Sequence, residues 1–322
     1  MTSHKMPAEN NASWTRDILT FTVYAGLGSN RYVLLAVVVL VYLATVVANV
    51  AVMLLICHDR SLHKPMYIFL FCLILSGLIG STSFWPNVMS ILLTNRPLIS
   101  LEGCFFQVFL MSTYGGCHFS VLTVMAYDRF VSIFQPLQYH AVMTPLKVKQ
   151  LLLVANLIPM AVILTQIYLT SQLPLCRYNV NKLFCDNLVV VGLSCAESHT
   201  IQRQVNNLYG IFNITFLLGL PILLVLLSYA KIIALSMKIS LKARKKVFQT
   251  CSPHIITFLN FSLASLFSLF YNRFNPSLPT DVNIVLSINY ILVPPLLQPI
   301  IYGMKTQEIR QSFTKVARTI FR

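Results

Sequence analysis

Seven long apolar stretches constrain the fold of this 322-residue chain more than any other feature. A helix needs about 20 apolar residues to cross the hydrocarbon core of a bilayer, and each stretch is long enough to do so with some tilt. Only 10% of the residues are charged, against roughly 25% in soluble domains. The sequence therefore predicts an all-α fold, a seven-transmembrane helix bundle. The predicted segments are 32–57, 66–93, 104–133, 148–170, 207–235, 247–271 and 282–302.

The distribution of charge predicts the orientation of the bundle. The formal net charge is +15, and 16 of the 24 Lys and Arg residues fall on the side of the first, third and fifth loops and the C-terminal tail. Positive residues mark the cytoplasmic side, so we expect an extracellular tail (1–31), a seven-transmembrane domain (32–303) and a cytoplasmic tail (304–322). The basic excess is thus a sign of topology, and no nucleic-acid partner is expected.

The N-terminal tail carries a possible modification site. Asn11-Ala12-Ser13 is an N-glycosylation acceptor, which is useful only if the tail faces the lumen or the cell exterior. A second acceptor triplet begins at Asn213, but it lies inside the fifth apolar segment, where we expect it to be inaccessible. The first triplet therefore agrees with the predicted orientation.

Half of the eight cysteines fall at the predicted outer surface, where thiols oxidise to disulfides. Four cysteines allow three pairings, and sequence alone does not choose among them. Three of the four lie in the long loop 171–203, which predicts a folded lid over the outer mouth of the bundle. The outer cysteines are Cys104, Cys176, Cys185 and Cys195.

The sequence holds no residue pattern typical of an enzyme. It contains no phosphate-binding glycine loop and no metal-ligand cluster, so neither a cofactor nor a metal is expected. Ser252 and His254 lie close together in the sixth segment, but no acid accompanies them.

A channel or transporter is a further alternative, and it is disfavoured because no charged residue lies in the middle of a segment.

A pair of opposite charges closes the third segment, which ends on MAYDRF at 125–130. The carboxylate of Asp128 at the water boundary can hold the guanidinium of Arg129 in a closed arrangement and release it on activation. The plainer interpretation is an interfacial positive anchor, which Arg129 alone would satisfy.

Several further motifs complete a recognisable pattern. They are LHKPMY at 62–67, PLQYH at 136–140, SY at 228–229, CSPH at 251–254 and PPLLQPIIYG at 294–303. With these motifs the chain resembles a rhodopsin-like G-protein-coupled receptor, and within that family an odorant receptor. The resemblance covers residues 49–310. The segment 305–310 and the long outer loop look like the class I, or fish-like, branch.

The resemblance implies partners and residue roles. The partners are a small-molecule odorant and a heterotrimeric G protein of the stimulatory olfactory type, which raises cyclic AMP, at the plasma membrane of sensory cilia. Arg129 would meet the G protein, and two tyrosines would act as switches. The residues of coupling and switching are Asp128, Arg129, Tyr229, His254, Pro299 and Tyr302. The implied disulfides are Cys104–Cys185 and Cys176–Cys195.

The chain departs from the family pattern at several positions. Phe130 replaces the usual Tyr, Gln298 replaces Asn before a proline, Gly77 replaces a mid-membrane acid, and His118 replaces the usual Glu. Without those two acids a bound sodium ion is not expected, because hard cations need anionic oxygen ligands. We expect His118 to make a neutral polar contact, with Asn49 or a switch residue, in preference to sensing pH.

The odorant site is expected in the outer third of the bundle, under the lid. No acid lies in the outer half of any segment, which favours an uncharged or mildly polar odorant over an amine. The two glycines on the third helix either leave room for the ligand or let helices pack closely. The candidates are Met111, Ser112, Gly115 and Gly116 on the third helix, Tyr209 and Asn213 on the fifth, and Ser262, Ser265 and Leu269 on the sixth.

The cytoplasmic side is also expected to contact membrane lipids. Five Lys and Arg residues crowd the loop 238–246, and basic residues next to a membrane attract anionic headgroups. Residues 306–321 have apolar side chains at three- or four-residue spacing with cations between them, which predicts an interfacial amphipathic helix.

A non-olfactory receptor for a peptide or hormone is the alternative within the same fold.

Overall fold

The computed structural model describes residues 18–25, 27–195, 201–274 and 280–320. Within these residues seven helices are long and apolar enough to cross a membrane, and each contains one predicted segment. The helices are Asn30–His58, Pro65–Thr94, Leu101–Phe134, Pro145–Ser171, Ile201–Ser236, Leu241–Phe274 and Thr280–Lys305. The prediction of a seven-helix bundle is therefore confirmed. The glycosylation triplet at Asn11 lies outside the described residues.

Local sequence explains where several helices begin and end. Pro65 and Pro145 occupy the first turn of the second and fourth helices, where a missing N–H is not needed. Ser100 caps the third helix, because its hydroxyl accepts the backbone N–H of Gly103 at 3.1 Å. The second helix ends at Asn95, whose φ of 56° lies in the left-handed region that asparagine tolerates.

The third helix lies at the centre of the bundle and contacts the second, fourth, fifth and sixth helices. Its Val121 and Leu122 are completely buried. The first helix instead turns Leu40 and Val47 outward, each about two-thirds exposed. Apolar surface of this kind is stable in a bilayer, where lipid tails cover it. The chain is thus a multi-pass membrane protein.

The fifth helix contains a wide turn. Its α-helical parts, Ile201–Ile214 and Leu220–Ser236, are joined by a π-helical turn at Thr215–Gly219. Pro221 lies two residues after this turn and has no N–H to donate to a carbonyl of the preceding turn. Such interruptions of the hydrogen-bond ladder commonly occur as π turns or kinks near proline.

A three-stranded sheet covers one end of the bundle, which we call the disulfide end. The strands are β1 (Ile18–Phe21), β2 (Leu98–Ser100) and β3 (Asn179–Val180). The tail strand β1 is central, antiparallel to β2 and parallel to β3. Leu19 and Phe21 of β1 are completely buried. The sequence did not predict this sheet, which joins the N-terminal tail to two loops.

The long loop at this end is folded as a lid. Disulfides join Cys104 to Cys185 and Cys176 to Cys195, the pairs that the family resemblance implies. A short helix, Asn187–Leu193, follows the first bridge, and the Asp186 carboxylate caps it by accepting the Val189 N–H at 2.7 Å. Val190 and Phe184 are buried in the apolar cluster beneath the lid.

The last described helix, Gln307–Ile320, is amphipathic, as the sequence predicted. It packs against the first helix at the opposite end of the bundle, which we call the arginine end because Arg129 lies there. Its Ile309 is buried, whereas Arg310 is exposed. Hydrogen bonding by Ser61, with contributions from the nearby Ser312 and the charge of Lys315, lowers the pKa of Asp59, in the first loop, to about 2.

Candidate functional site

A closed charge cluster occupies the arginine end of the third helix. The Asp128 carboxylate is completely buried, and one of its oxygens accepts the Arg129 Nε–H at 2.9 Å. The other oxygen accepts the Tyr139 hydroxyl at 2.7 Å. Both carboxylate oxygens are thus hydrogen-bonded, and the guanidinium is held against its own helix.

Tyr139 is a residue of this cluster to which the sequence reasoning gave no role. It lies on the short helix Tyr139–Val142, in the loop after the third helix. Burial, together with the charge of Asp128, raises the pKa of Tyr139, so its hydroxyl is a donor at physiological pH. The PLQYH motif was the only signal, since sequence does not show that this loop folds back onto Asp128.

A second contact joins three helices near the same end. His254 Nε2 lies 3.0 Å from the backbone oxygen of Leu122, and His254 Nδ1 lies 2.6 Å from the hydroxyl of Tyr229. Because a carbonyl oxygen can only accept, Nε2 carries the proton and Nδ1 accepts the Tyr229 hydroxyl. The structure therefore links the switch candidates Tyr229 and His254 directly and ties both to the third helix.

The prolines of the seventh helix explain a contact with the first helix. Pro299 has no N–H, so the carbonyl of Pro295, four residues earlier, loses its helical partner. Asn49 Nδ2 donates to that carbonyl at 2.8 Å. Tyr302 is completely buried one turn further on and lies beside Thr257 of the sixth helix. Pro299 and Tyr302 thus lie in the packed interior.

The ligand candidates of the third helix lie at its inward face. Met111 is buried and accepts a hydrogen bond from Ser83 at 3.0 Å, and Ser112 is half-buried. A Cβ on Gly115 would lie 2.7 Å from the Tyr290 hydroxyl, and one on Gly116 would lie 3.0 Å from a Pro159 carbon. Both glycines therefore admit close neighbours, which fits the helix-packing alternative.

The two candidates of the fifth helix bond to the fourth helix. Asn213 Nδ2 donates to Gln166 Oε1 at 3.0 Å, and the Tyr209 hydroxyl donates to the Val162 carbonyl at 3.2 Å. Gln166 in turn lies 3.3 Å from Asn206. The polar groups of these candidates are thus part of an interface between the fourth and fifth helices.

The candidates of the sixth helix lie along one side of an aromatic cluster. Ser262 and Ser265 are buried, and the Ser265 hydroxyl donates to the Phe261 carbonyl at 2.8 Å. The ring centroid of Tyr114 lies 5.5 Å from that of Phe261 and 5.7 Å from that of Tyr290. This aromatic cluster (Tyr114, Phe261, Tyr290) joins the third, sixth and seventh helices. Leu269, two turns from Phe261 toward the disulfide end, is half-buried.

Tyr290 supplies the contact on the seventh helix that the sequence did not single out. The helix reads as almost continuously apolar there, so its inward face was not apparent from sequence. A polar aromatic residue within that run was the available signal. The cluster ties Tyr290 to two helices that carry ligand candidates.

Comparison with known proteins identifies the family. A model of the olfactory receptor family matches residues 38–319. Olfactory receptor 52A5 of Homo sapiens is 34% identical over 279 residues, 85% of this chain and 86% of its own length. Human olfactory receptor 52N2 is 31% identical over 96% of both chains, and human olfactory receptor 10J5 is 31% identical over 92% of this chain.

The chain belongs to the olfactory receptor family. The match spans nearly the whole bundle and all but the last residue of the amphipathic helix. The protein is therefore an odorant receptor of the G-protein-coupled class and not an enzyme. Among the described residues, no group of His, Cys, Asp and Glu is placed to hold a metal ion.

Proposed function

We propose that this receptor binds a small, uncharged odorant between the third, sixth and seventh helices, beneath the lid. Binding there activates a heterotrimeric G protein of the stimulatory type, which raises cyclic AMP. The receptor lies in the plasma membrane of sensory cilia, with residues 1–31 outside and 304–322 in the cytoplasm. The aromatic cluster is the observation that carries the proposal, because it joins the third helix, which carries ligand candidates, to the sixth and seventh helices.

The distribution of charge supports the orientation. The arginine end carries 16 of the 24 Lys and Arg residues, including those of the loop 238–246. The disulfide end carries both cystine bridges, which form in oxidising compartments. With this orientation the basic loop and the amphipathic helix contact anionic lipids of the cytoplasmic leaflet.

The chemistry of the candidate residues supports an uncharged ligand. The ligand candidates on the third and sixth helices offer hydroxyls from Ser112 and Ser262 and a thioether sulfur from Met111. The Ser262 hydroxyl is buried without a hydrogen-bond partner among the described residues. A ligand with a hydroxyl, carbonyl or ester group can satisfy such a donor, whereas a buried ammonium would need an acid.

The closed charge cluster supports the coupling mechanism. Asp128 holds Arg129, and His254 fastens the sixth helix to the third through the Leu122 carbonyl. A ligand favours activation only if it binds the open bundle more tightly than the closed one. Movement of the sixth helix then breaks the His254 contact and exposes Arg129 to the G protein. Tyr209 and Asn213 set the position of the fifth helix against the fourth.

The ligand site is tested by substitutions on two helices. In cells expressing the receptor, a panel of alcohols, aldehydes, esters, acids, amines and amino acids is screened by cyclic AMP response. For each active compound, Ser112→Val and Ser262→Ala are expected to raise the half-effective concentration about tenfold, the effect of losing roughly 1.4 kcal/mol of binding. Surface expression is expected to stay at the level of the parent receptor.

Thr165→Val is the matched control, because Thr165 is an exposed residue of the fourth helix that bonds only to the Ala161 carbonyl among the contacts described. It is expected to leave the response unchanged. Unchanged responses in both Ser112→Val and Ser262→Ala would remove these residues from the ligand site. An odorant-evoked ion current that needs no G protein would instead contradict the receptor function.

A further inference from the structure

His118 lies at the middle of the third helix and contacts two other helices through hydrogen bonds. Its side chain is completely buried. The Nδ1 atom lies 3.2 Å from the Ser76 hydroxyl on the second helix, and Nε2 lies 2.6 Å from the Gln298 amide nitrogen on the seventh helix. The expected partner Asn49 bonds elsewhere, to the Pro295 carbonyl.

The hydrogen bonds around the ring define one neutral form of His118. The Ser76 hydroxyl donates to the Leu73 carbonyl at 2.8 Å, so its oxygen is left to accept from His118. Nδ1 therefore carries the proton, and Nε2 accepts a hydrogen bond from the Gln298 amide. The chain of donors runs in one direction, from Gln298 through His118 and Ser76 to the backbone of the second helix.

The same imidazole ring contacts the sixth helix. Its centroid lies 4.1 Å from that of Phe261 and 5.4 Å from that of Tyr114. His118 thus packs against the aromatic cluster on the side that faces the arginine end. It touches the second, sixth and seventh helices from a position on the third.

Three departures from the family pattern meet at this point. A Cβ on Gly77 would lie 3.5 Å from Gln298 Oε1, and the other face of the Gln298 side chain meets His118. The Gln298 amide therefore fills the space between the second and third helices. An asparagine would be shorter by one carbon–carbon bond, about 1.5 Å, and the 2.6 Å contact would be lost.

We propose that the His118–Gln298 hydrogen bond holds the third and seventh helices in the closed arrangement, and that an odorant must loosen it to activate the receptor. His118 is a positioning residue, because it acts through Phe261 and Gln298 and not by touching the ligand. The inference rests on the proposed function for its signalling consequence. The effect of the hydrogen bond on the balance between the closed and open bundle does not depend on that function.

The test uses Cys251 as a reporter of the opening. Cys251 is buried on the sixth helix close to Arg129, so outward movement of that helix exposes its thiol. In membranes from cells expressing full-length receptor, the rate of Cys251 modification by a water-soluble maleimide is measured without odorant. The background carries Cys57→Ser, because Cys57 is an exposed free cysteine.

Two single variants and their double variant form a double-mutant cycle. His118→Leu and Gln298→Asn are each expected to raise the labelling rate about fivefold, the effect of losing one typical hydrogen bond. The double variant is expected to label no faster than the faster single variant, since both changes remove the same bond. Unchanged rates, or a double variant near 25-fold as the product of two independent effects, would overturn the proposal.

A matched control and a second measurement separate this inference from the proposed function. Cys117→Ala removes a buried side chain adjacent to His118 that contacts the Asn156 carbonyl of the fourth helix, and it is expected to leave the rate unchanged. If His118→Leu does not reach the membrane, Gln298→Asn alone decides. Faster labelling without raised basal cyclic AMP would contradict the proposed coupling and leave the positioning role supported.

Discussion

At the scale of single residues, the arginine end is organised by one buried carboxylate. Asp128 holds the Arg129 guanidinium with one oxygen and the Tyr139 hydroxyl with the other. A buried charge needs such partners, because desolvation otherwise makes it strongly unfavourable. Tyr139 therefore helps to hold the Asp128 carboxylate in its orientation toward Arg129.

This geometry predicts that Tyr139→Phe raises basal signalling. A hydrogen bond to a charged group contributes about 1.5 kcal/mol or more, so its loss shifts the balance between closed and open receptor roughly tenfold. Basal cyclic AMP, normalised to surface expression, is the measurement. Tyr127→Phe is the control, because Tyr127 lies one residue before Asp128 and points outward. Equal basal signals in the two variants would contradict the role of Tyr139.

At the scale of elements, the tail strand β1 connects the N-terminal tail to the lid, through β3, and to the loop before the third helix, through β2. Leu19 is completely buried beneath the sheet, whereas its neighbour Ile18 is 40% exposed. Alternation along an extended strand produces this difference between adjacent residues. The two positions therefore offer a matched pair for testing whether the strand closes the lid.

Leu19→Asp is expected to open the lid, because burying an unpaired carboxylate costs about 3 kcal/mol or more. Limited proteolysis of intact cells then cuts the loop 171–203 faster, and the half-effective odorant concentration rises. Ile18→Asp is expected to change neither quantity. Similar cleavage rates in the two variants would mean that β1 does not hold the lid.

The Asp59 carboxylate of the first loop has a pKa well below its usual value. Hydrogen bonding by Ser61 holds that pKa at about 2, below the value of about 3.9 for an unfolded chain. A lowered carboxylate pKa contributes its stability fully above the unfolded value, and the contribution is lost as the pH falls towards 2. The hydrogen bond between Asp59 and Ser61 is therefore expected to stay constant across physiological pH.

Sequence predicted the elements whose signal is long and local. The seven helices and the amphipathic helix follow from apolar runs and from three- and four-residue spacing. The strands β1 to β3 have only four, three and two residues, too few for alternation to show. Their pairing also joins segments that are about 80 to 160 residues apart in the chain, by the register of Thr20 with Leu98 and Asn179.

The candidate site was less predictable, because helices that are apolar on every side do not reveal which face turns inward. Met111 and Ser262 lie inside the bundle as expected, but Asn213 bonds to the fourth helix. Tyr139 and Tyr290 depend on contacts with distant parts of the chain. The partner of His118 was likewise beyond sequence reasoning, since Gln298 lies 180 residues away.

At the scale of the whole molecule, side-chain contacts follow one another along the bundle from the disulfide end to the arginine end. The lid and the aromatic cluster lie towards the disulfide end, His118 lies at the middle, and Asp128 and Arg129 lie at the other end. The third helix runs through all of these sites. Its 34 residues extend about 50 Å at 1.5 Å per residue, which is long enough to cross the bilayer, with Arg129 near one end and Tyr114 of the aromatic cluster one turn from the middle.

In the proposed mechanism an odorant bound beneath the lid activates a G protein at the arginine end. The measurement that tests this coupling is nucleotide exchange on purified stimulatory G protein by the reconstituted receptor, with and without an odorant active in the cell screen. We predict that the odorant accelerates exchange by the parent receptor and that Arg129→Ala abolishes the acceleration while still binding the odorant. No acceleration by the parent receptor, or equal acceleration by Arg129→Ala, would show that the odorant does not act through Arg129.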